Sequence, residues 1–592
     1  MCIRDRSLSS DKVFNAVRRI TAGICLVAGV VSSGVPPALS QDAGQVESAL
    51  IDQATLPDAI DLKGARPNAD PSVLAPAADT LPPSLESLVA PPPLALPDES
   101  AQVRINELRP LTLEEALQLA EFNSPTLKAA SSAVDQAKSS LRAAVAAWYP
   151  TVDLSSSALP EYFASYSYRN PDFVPDGVDG TTQPNELYGS EWRLNGRLRV
   201  SWDLINPARV PEIASARDRF ERSRQSYLIA LRDLRLETET AYFDLQQADE
   251  GVRIGQAGVR ASLVSLRDAR ARFNAGVNTK LEVLEAETQL ARDRNLLATN
   301  LGQQELGRRN LAVLLDLPQD VTPTSASPAR PLGLWQPSLQ DSIVAAFNYR
   351  EELDQLILDV SINNSQANAS LAAVQPVLSF VNSTTASRTQ GQTNQPSTTS
   401  IDQGDFSYGV DNSSALTATW RLFDGGRARA GYRRSKQAAE ESRFNFARTR
   451  DQIRLEVEQS FFGLRTAVQS IDTTASEVLS SRESLRLAQL RVQAGVTTQR
   501  EVVNTQRDLT QAELKYARAI RDYNTNLSQL RRRTGLDALV ACNAVSLPGT
   551  KPEPEQQPIP IEPTPLKTAC PSVATASSSV NQTEISPVQP LW

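Results

Sequence analysis

The sequence predicts a mostly α-helical fold with a membrane β-barrel segment, in which a long helical hairpin occurs twice and each chain supplies four strands. Three observations support this prediction. A turn motif occurs twice, as Arg272-Phe-Asn-Ala-Gly-Val-Asn-Thr279 and Arg491-Val-Gln-Ala-Gly-Val-Thr-Thr498. Long stretches of helical periodicity flank both turns, and before each stretch the period changes to two. The turn glycines share nearly the same spacing as Trp202 and Trp420, which indicates an internal duplication.

The start of the chain is predicted to be an export signal followed by a linker. Arg18 and Arg19 precede the apolar run 20–31, and Ala38-Leu39-Ser40 supplies small residues for cleavage, so residues 1–40 are assigned to a signal peptide. Residues 41–110 are rich in proline, alanine and acidic side chains and are predicted to be a disordered linker. No later apolar run is long enough for a membrane-spanning helix, so we expect any membrane insertion to use strands.

The first structural repeat is predicted to cover residues 111–330 and the second 331–547. In the first repeat Thr112 begins a helix, and Pro125 begins another that continues to Trp148 and stops at Pro150. The second repeat has the same outline, with a helix from Leu339, a further helix over 351–374 and a stop at Pro376. Residues 548–592 form a second proline-rich segment, which is predicted to be a disordered tail.

Strands follow each proline stop, and one face of them is apolar. Earlier strands are predicted at 151–169 and 376–388, and the alternating segments 191–204 and 416–422 follow them. Arginine, asparagine and aspartate occupy the other face of 191–204, as in a barrel whose outer face contacts lipid. A soluble, half-buried sheet has the same period and is the alternative. The predicted lipid-facing residues are Trp192, Leu194, Leu198, Val200, Trp202, Leu416, Trp420 and Leu422.

The long hairpins come next in each repeat. Residues 208–274 would form roughly 100 Å of helix, and a helix this long must bury its apolar stripe against its hairpin mate. Gly276 and Gly495 are expected in the left-handed conformation that ends a helix. Two T-x-x-E sequences follow, which predict that the next helix begins with a capping box in each repeat. These pairs are Thr279 with Glu282 and Thr498 with Glu501.

Composition argues against catalysis and against a nucleic-acid partner. The 592 residues include no histidine, and the formal charge is −8. The commonest general base and metal ligand is therefore missing, and no basic surplus exists to neutralise phosphates. We predict no enzyme activity, no metal and no cofactor. After removal of the signal peptide two cysteines remain, Cys542 and Cys570, which either pair in an oxidising compartment or stay as free tail thiols.

Together these features resemble the TolC-like outer-membrane efflux proteins over residues 111–539. The residues that carry the resemblance are Trp148-Tyr149-Pro150, Trp420-Arg-Leu-Phe-Asp-Gly-Gly426 and the segments 272–284 and 491–503. The resemblance implies a homotrimer in the outer membrane of a Gram-negative-type bacterium, with a twelve-stranded barrel in lipid and an α-barrel in the periplasm. It also implies a passive exit duct for tripartite efflux or type I secretion. Its partners would be a periplasmic adaptor protein and an inner-membrane transporter.

The same resemblance suggests roles for the turns. The docking turns for the adaptor would be Arg272, Gly276, Val277, Arg491, Gly495 and Val496. The family's acidic gate falls on Glu501 and Asn504, of which only Glu501 keeps the acid. Turn chemistry alone also explains the docking residues, and a cap alone explains Glu501.

An exported structural or adhesive coiled-coil surface protein is the main alternative function. Long helices fit both classes of protein. The duplicated alternating strands favour the duct, because a scaffold does not need lipid-facing tryptophan and leucine beside arginine.

Overall fold

The computed structural model describes residues 80–105, 107–168, 186–277, 279–393 and 406–540. The predicted signal peptide, the tail and the cysteines Cys542 and Cys570 lie outside these residues, so the pairing of the two thiols stays a prediction. Within the described ranges no helix has both the length and the apolar character needed to cross a bilayer.

The first half of the structure leads from two short helices, through a pair of strands, into a helical hairpin. Thr112 caps the first helix and Pro125 occupies the first turn of the second, as the sequence predicts. Glu115 completes a reciprocal capping box with Thr112, which was not predicted. The elements are β1 Glu107–Leu111, α1 Leu113–Asn123, α2 Pro125–Val145, β2 Thr151–Tyr168, β3 Glu186–Ile205, α3 Arg209–Asn274 and α4 Lys280–Leu314.

The second half repeats this order after two short connecting strands. Its predicted helices are confirmed, and the hairpin helices again exceed thirty residues. The elements are β4 Val321–Ser325, β5 Leu334–Trp335, α5 Leu339–Tyr349, α6 Glu351–Ala372, β6 Val377–Thr393, β7 Phe406–Thr419, α7 Arg427–Gln493, α8 Gln499–Thr534 and β8 Leu539–Val540.

The four long strands form one antiparallel sheet in the order β2-β3-β6-β7. The two halves meet where β3 pairs with β6, and Trp202 lies opposite Phe380 in that pairing. The assignment of Trp420 and Leu422 to a strand is wrong, because β7 ends at Thr419. Val377 is the first residue of β6 and lies opposite Thr419, so the chain after Thr419 has no strand partner in this sheet.

The predicted linker 41–110 is wrong in part, because the segment 81–91 is packed against the helical body, whereas residues 92–99 and 102–105 are exposed. Leu85 and Leu88 are fully buried, and β1 pairs in parallel with β4. The Asn123 side chain holds this N-terminal segment in place. Its Nδ2 donates to the carbonyl oxygens of Leu88 at 2.8 Å and Leu315 at 3.0 Å, and its Oδ1 accepts from the amide of Ala90 at 3.0 Å. Apolar burial and hydrogen bonds thus order a proline-rich stretch that has no periodic pattern.

The long helix α3 is the centre of the helical packing and contacts α2, α4, α6 and α8. The largest buried side chain in its core cluster is Tyr242, whose hydroxyl donates to the Leu111 carbonyl oxygen at 2.9 Å. This bond satisfies the polar end of an otherwise apolar side chain and joins the hairpin to the strand β1. The apolar stripe predicted for α3 is buried in part: Leu231, Leu245, Val252, Val259 and Leu266 are buried, whereas Leu228, Leu263 and Phe273 are exposed.

A cluster of ion pairs joins the two halves where α8 ends and α6 begins. Arg532 bridges Asp233 of α3 at 2.6 Å and Glu352 of α6 at 2.7 Å. Arg350 bridges Glu352 at 2.9 Å and Glu456 of α7 at 2.6 Å. These pairs connect four helices and most of their side chains are shielded from water, so removal of one partner would leave a charge uncompensated at higher cost than the loss of a surface ion pair.

Candidate functional site

The two hairpin turns have the same backbone geometry. Gly276 and Gly495 both have a φ of 73°, the left-handed region that a residue with a Cβ enters only with strain. In the first turn the Val277 amide donates to the Arg272 carbonyl oxygen at 2.9 Å, and in the second the Val496 amide donates to the Arg491 carbonyl oxygen at 2.9 Å. These six-residue loops are Schellman motifs, so the helix ends are closed by local chemistry as the sequence predicts.

The predicted capping boxes after the turns are wrong. Thr279 and Thr498 are the N-cap residues of α4 and α8, but neither side chain makes a capping hydrogen bond. Glu501 instead accepts from Arg491 Nη1 at 2.7 Å across the turn, and its other oxygen accepts from the hydroxyl of Thr497. Arg491, in the last turn of α7, therefore binds the Glu501 carboxylate, which is no longer available to cap α8.

The candidate gate residues occupy different environments. Glu501 is half-buried and paired with Arg491, whereas Asn504 is exposed on the next turn of α8. The arrangement leaves the acidic charge of Glu501 balanced within its own hairpin. An interpretation of Glu501 as only a cap is not compatible with these contacts.

Contacts between the two hairpins were not predicted from the sequence. Arg272 Nη1 donates to the Val492 carbonyl oxygen at 3.3 Å, so a residue in the last turn of α3 also contacts the other hairpin. Gln499 Nε2 donates to Ser265 Oγ at 2.7 Å, and Arg500 lies 3.7 Å from Glu285. The arginine that precedes each turn was the sequence feature that could have indicated a contact there. Its partner could not be identified from the sequence, because the two residues are distant along the chain.

A cavity of about 420 Å³ lies between the hairpins, directly behind the turns. All four hairpin helices line it, and glutamine is its most frequent side chain. Val277 and Val496, on the turns themselves, are exposed. In the described part of the chain no group of three or more acidic or cysteine side chains is placed to hold a metal ion.

The sheet carries the second predicted site, its apolar face. Within β3, Trp192, Leu194, Leu198 and Trp202 are exposed, Val200 is half-exposed, and Leu416 of β7 is exposed as well. Residues opposite each other in an antiparallel pair share a face, and Leu198 lies opposite Leu154 while Leu416 lies opposite Phe380. The apolar face therefore continues across all four strands. Trp420 and Leu422, beyond the end of β7, are exposed as well.

Curated relatives match the chain over part of their length. The sequence is similar to Protein CyaE of Bordetella pertussis, with 26% identity over 42% of this chain and 47% of the relative. It is also similar to the outer membrane efflux protein BepC of Brucella suis, with 23% identity over 50% of this chain and 61% of the relative. The chain thus spans between about half and three fifths of the length of these relatives.

A solved structure of a membrane protein from Pseudomonas aeruginosa has the same fold. It matches with a TM-score of 0.58 and 19% identity, over 76% of this chain and all of that one. The sequence profile described as outer membrane efflux protein matches residues 116–316 and 343–536, which together are more than half of the chain and correspond to its two halves. The chain therefore belongs to the outer membrane efflux protein family and is an outer-membrane protein.

Proposed function

We propose that three copies of the chain form a passive exit duct for tripartite efflux or type I secretion, with a twelve-stranded barrel in the outer membrane. The observation that carries the proposal is the succession of an exposed apolar sheet and two hairpins whose longer helices are each roughly 100 Å long. The exposed apolar side chains of the sheet are typical of a surface that contacts lipid. The length of the hairpin helices is enough for them to extend through the periplasm. Four strands alone leave open edges, and twelve leave room for a lumen.

In this proposal the hairpin turns receive a periplasmic adaptor protein, which links the duct to an inner-membrane transporter. Exposed Val277 and Val496, on turns with identical backbones, support a repeated contact with that adaptor. The lipid-facing role of the tryptophan and leucine residues is part of the same proposal. No step requires a catalytic side chain, because the duct only conducts.

Replacement of Val277 and Val496 by aspartate should abolish export. Both side chains are exposed, so the change leaves the fold intact but places six charges on the proposed docking turns of a trimer. Export of a dye or toxic compound from whole cells, and trimer content in detergent, are the measurements. Val313→Asp on α4 is a matched exposed control far from the turns and should export normally. Normal export by the double variant would refute docking at the turns.

Replacement of Glu501 by glutamine should lower the cation selectivity of the open duct. The change leaves Arg491 without its carboxylate partner and shifts the charge near the axis by one unit per copy. Reversal potentials in planar bilayers under a salt gradient measure the effect. Glu282→Gln, at the corresponding position of the first hairpin, is the control. Equal selectivity of Glu501→Gln and the unmodified protein would exclude Glu501 from the gate.

A further inference from the structure

The chain passes from the sheet into α7 through a loop with exposed apolar side chains. Trp420, Leu422 and Phe423 of this loop are all exposed. The Trp420 indole Nε1 donates to the Val374 carbonyl oxygen at 3.1 Å, which holds the ring beside the end of α6. Aromatic side chains at the end of a lipid-facing sheet are typical of the level where hydrocarbon meets the phospholipid headgroups. The loop therefore marks the helical end of the sheet as an interface with the membrane surface.

A concentration of positive charge begins in the same loop, although the whole chain has a formal charge of −8. Residues 420–436 contain six basic side chains and one acidic one, Asp424. The Asp424 carboxylate accepts from the backbone amides of Gly426 at 2.8 Å and Ala428 at 2.7 Å.

Four of the basic side chains lie on the first two turns of α7, and all four are exposed. Over the described ranges their guanidinium groups make no hydrogen bond and no ion pair. Together they form a basic patch that consists of Arg427, Arg429, Arg433 and Arg434.

The internal duplication shows that the fold does not require this patch. The corresponding segment of the first half, residues 202–218, has two basic and three acidic side chains. Arg209 is the first residue of α3, as Arg427 is of α7. Arg209 is buried over the ring of Trp148, 4.3 Å from its centroid, and donates to the Asp203 carbonyl oxygen. One half therefore uses its arginine for packing, whereas the other leaves Arg427 exposed.

Local electrostatics does not explain the patch either. The N-terminus of a helix carries a partial positive charge, so four cations in its first turns are unfavourable. Helix α6 packs along this part of α7, where a Cβ on Gly431 would lie 3.2 Å from Ser370 and Lys436 donates to Asn364. Residues 360–372 of α6 contain no acidic side chain. The neighbouring helix thus supplies no counter-charge, and an anion from outside the chain would relieve the repulsion.

We infer that the basic patch binds the phosphate groups of anionic phospholipids in the periplasmic leaflet of the outer membrane. Phospholipid phosphates lie just beyond the level of interfacial tryptophans, and the patch follows Trp420 directly in the chain. From Arg427 to Arg434 the helix extends roughly 10 Å, which is close to the thickness of one headgroup layer. Arginines at that depth attract anionic lipids. The inference rests on the lipid contact of the sheet in the proposed function and does not depend on conduction.

The lipid preference of the reconstituted protein tests the inference. Quenching of its tryptophan fluorescence by brominated phosphatidylglycerol or brominated phosphatidylcholine gives the relative association constant of the two lipids. The unmodified protein should prefer phosphatidylglycerol on the order of fivefold or more at low salt, and high salt should reduce the preference. Glutamine at all four patch positions should abolish the preference, whereas lysine keeps the charge and should retain most of it. The control replaces four exposed arginines of the first hairpin by glutamine and should behave as the unmodified protein. These are Arg267, Arg270, Arg292 and Arg294.

Trimer stability separates lipid binding from a contact between copies. The four glutamines remove cations from a helix N-terminus, so the temperature at which the detergent-solubilised trimer dissociates should not fall. A lower dissociation temperature with an unchanged lipid preference would overturn the inference and assign the patch to a contact between copies. Loss of export with an unchanged lipid preference would overturn it in favour of an acidic protein partner.

Insertion into vesicles separates this inference from the proposed function. A protein that inserts but shows equal affinity for both lipids would overturn the lipid site and leave the duct. A protein that inserts into neither type of vesicle would remove the lipid contact of the sheet and the lipid site together.

Discussion

Replacement of Arg532 by methionine should lower the free energy of unfolding by about 3 kcal/mol, because the change leaves Asp233 without its cation and leaves the half-buried Glu352 with Arg350 alone. Arg532 is only 12% exposed and bridges Asp233 and Glu352 from two different helices. The value is at the low end for a buried pair because Asp233 is 47% exposed and is partly solvated once its partner is gone. Chemical denaturation of the detergent-solubilised protein, followed by circular dichroism, measures the loss.

The pH dependence of this variant provides a second measurement. Burial alone would raise the pKa of Glu352, but the hydrogen bond from Arg350 and the charge of Arg532 outweigh burial and lower it from 4.5 to about 2. A depressed folded-state pKa stabilises the fold above the unfolded pKa, and that contribution is lost as pH falls from 4.5 towards 2. Arg532→Met should therefore lose less stability over this pH range than the unmodified protein.

Arg486→Met is the matched control for Arg532→Met. Arg486 pairs with Glu483 three residues earlier on the same helix, and both side chains are more than half exposed. Water solvates both groups when the pair is broken, so the denaturation midpoint should not move. An equal loss in the two arginine variants would show that the interhelical cluster has no special role.

Replacement of Asn123 by leucine should release residues 80–90 from the helical body. Asn123 is fully buried and is the shared partner of three backbone groups, each of which would stay unsatisfied. At roughly 1 kcal/mol or more for each group, the local cost is about 3 kcal/mol. Hydrogen exchange and limited proteolysis of residues 80–90 should accelerate on the order of a hundredfold, while the hairpins stay protected.

Gln102→Ala is the control for the Asn123 variant. Gln102 makes two hydrogen bonds with Asp98 in the exposed part of the same N-terminal segment. The Gln102→Ala variant therefore loses two hydrogen bonds, against three for the Asn123 variant, but leaves no unsatisfied group buried. Its exchange and cleavage rates should match those of the unmodified protein. Equal acceleration in both variants would mean that burial of Asn123 is not what holds the segment.

Local chemistry explains why so much of the fold could be predicted from sequence. Glycines at Gly276 and Gly495, prolines before β2 and β6, and strict alternation in β3 each act over a few residues, and the structure follows them. The capping boxes were wrong for the opposite reason. Whether Glu501 caps a helix or pairs with Arg491 depends on a contact across the turn, which spacing along the helix does not reveal.

The sequence by itself determined the duplication, the helix and strand order, the turn geometry and the apolar face of the sheet, because periodicity and glycine or proline preferences are local properties. Only the tertiary structure decided how residues distant in sequence meet. Asn123 holds the segment 80–90, Arg272 binds the Val492 carbonyl oxygen, and Arg532 joins two halves of the chain. The physical reason is that a buried polar or charged group is stable only with a partner, and packing of whole helices selects that partner.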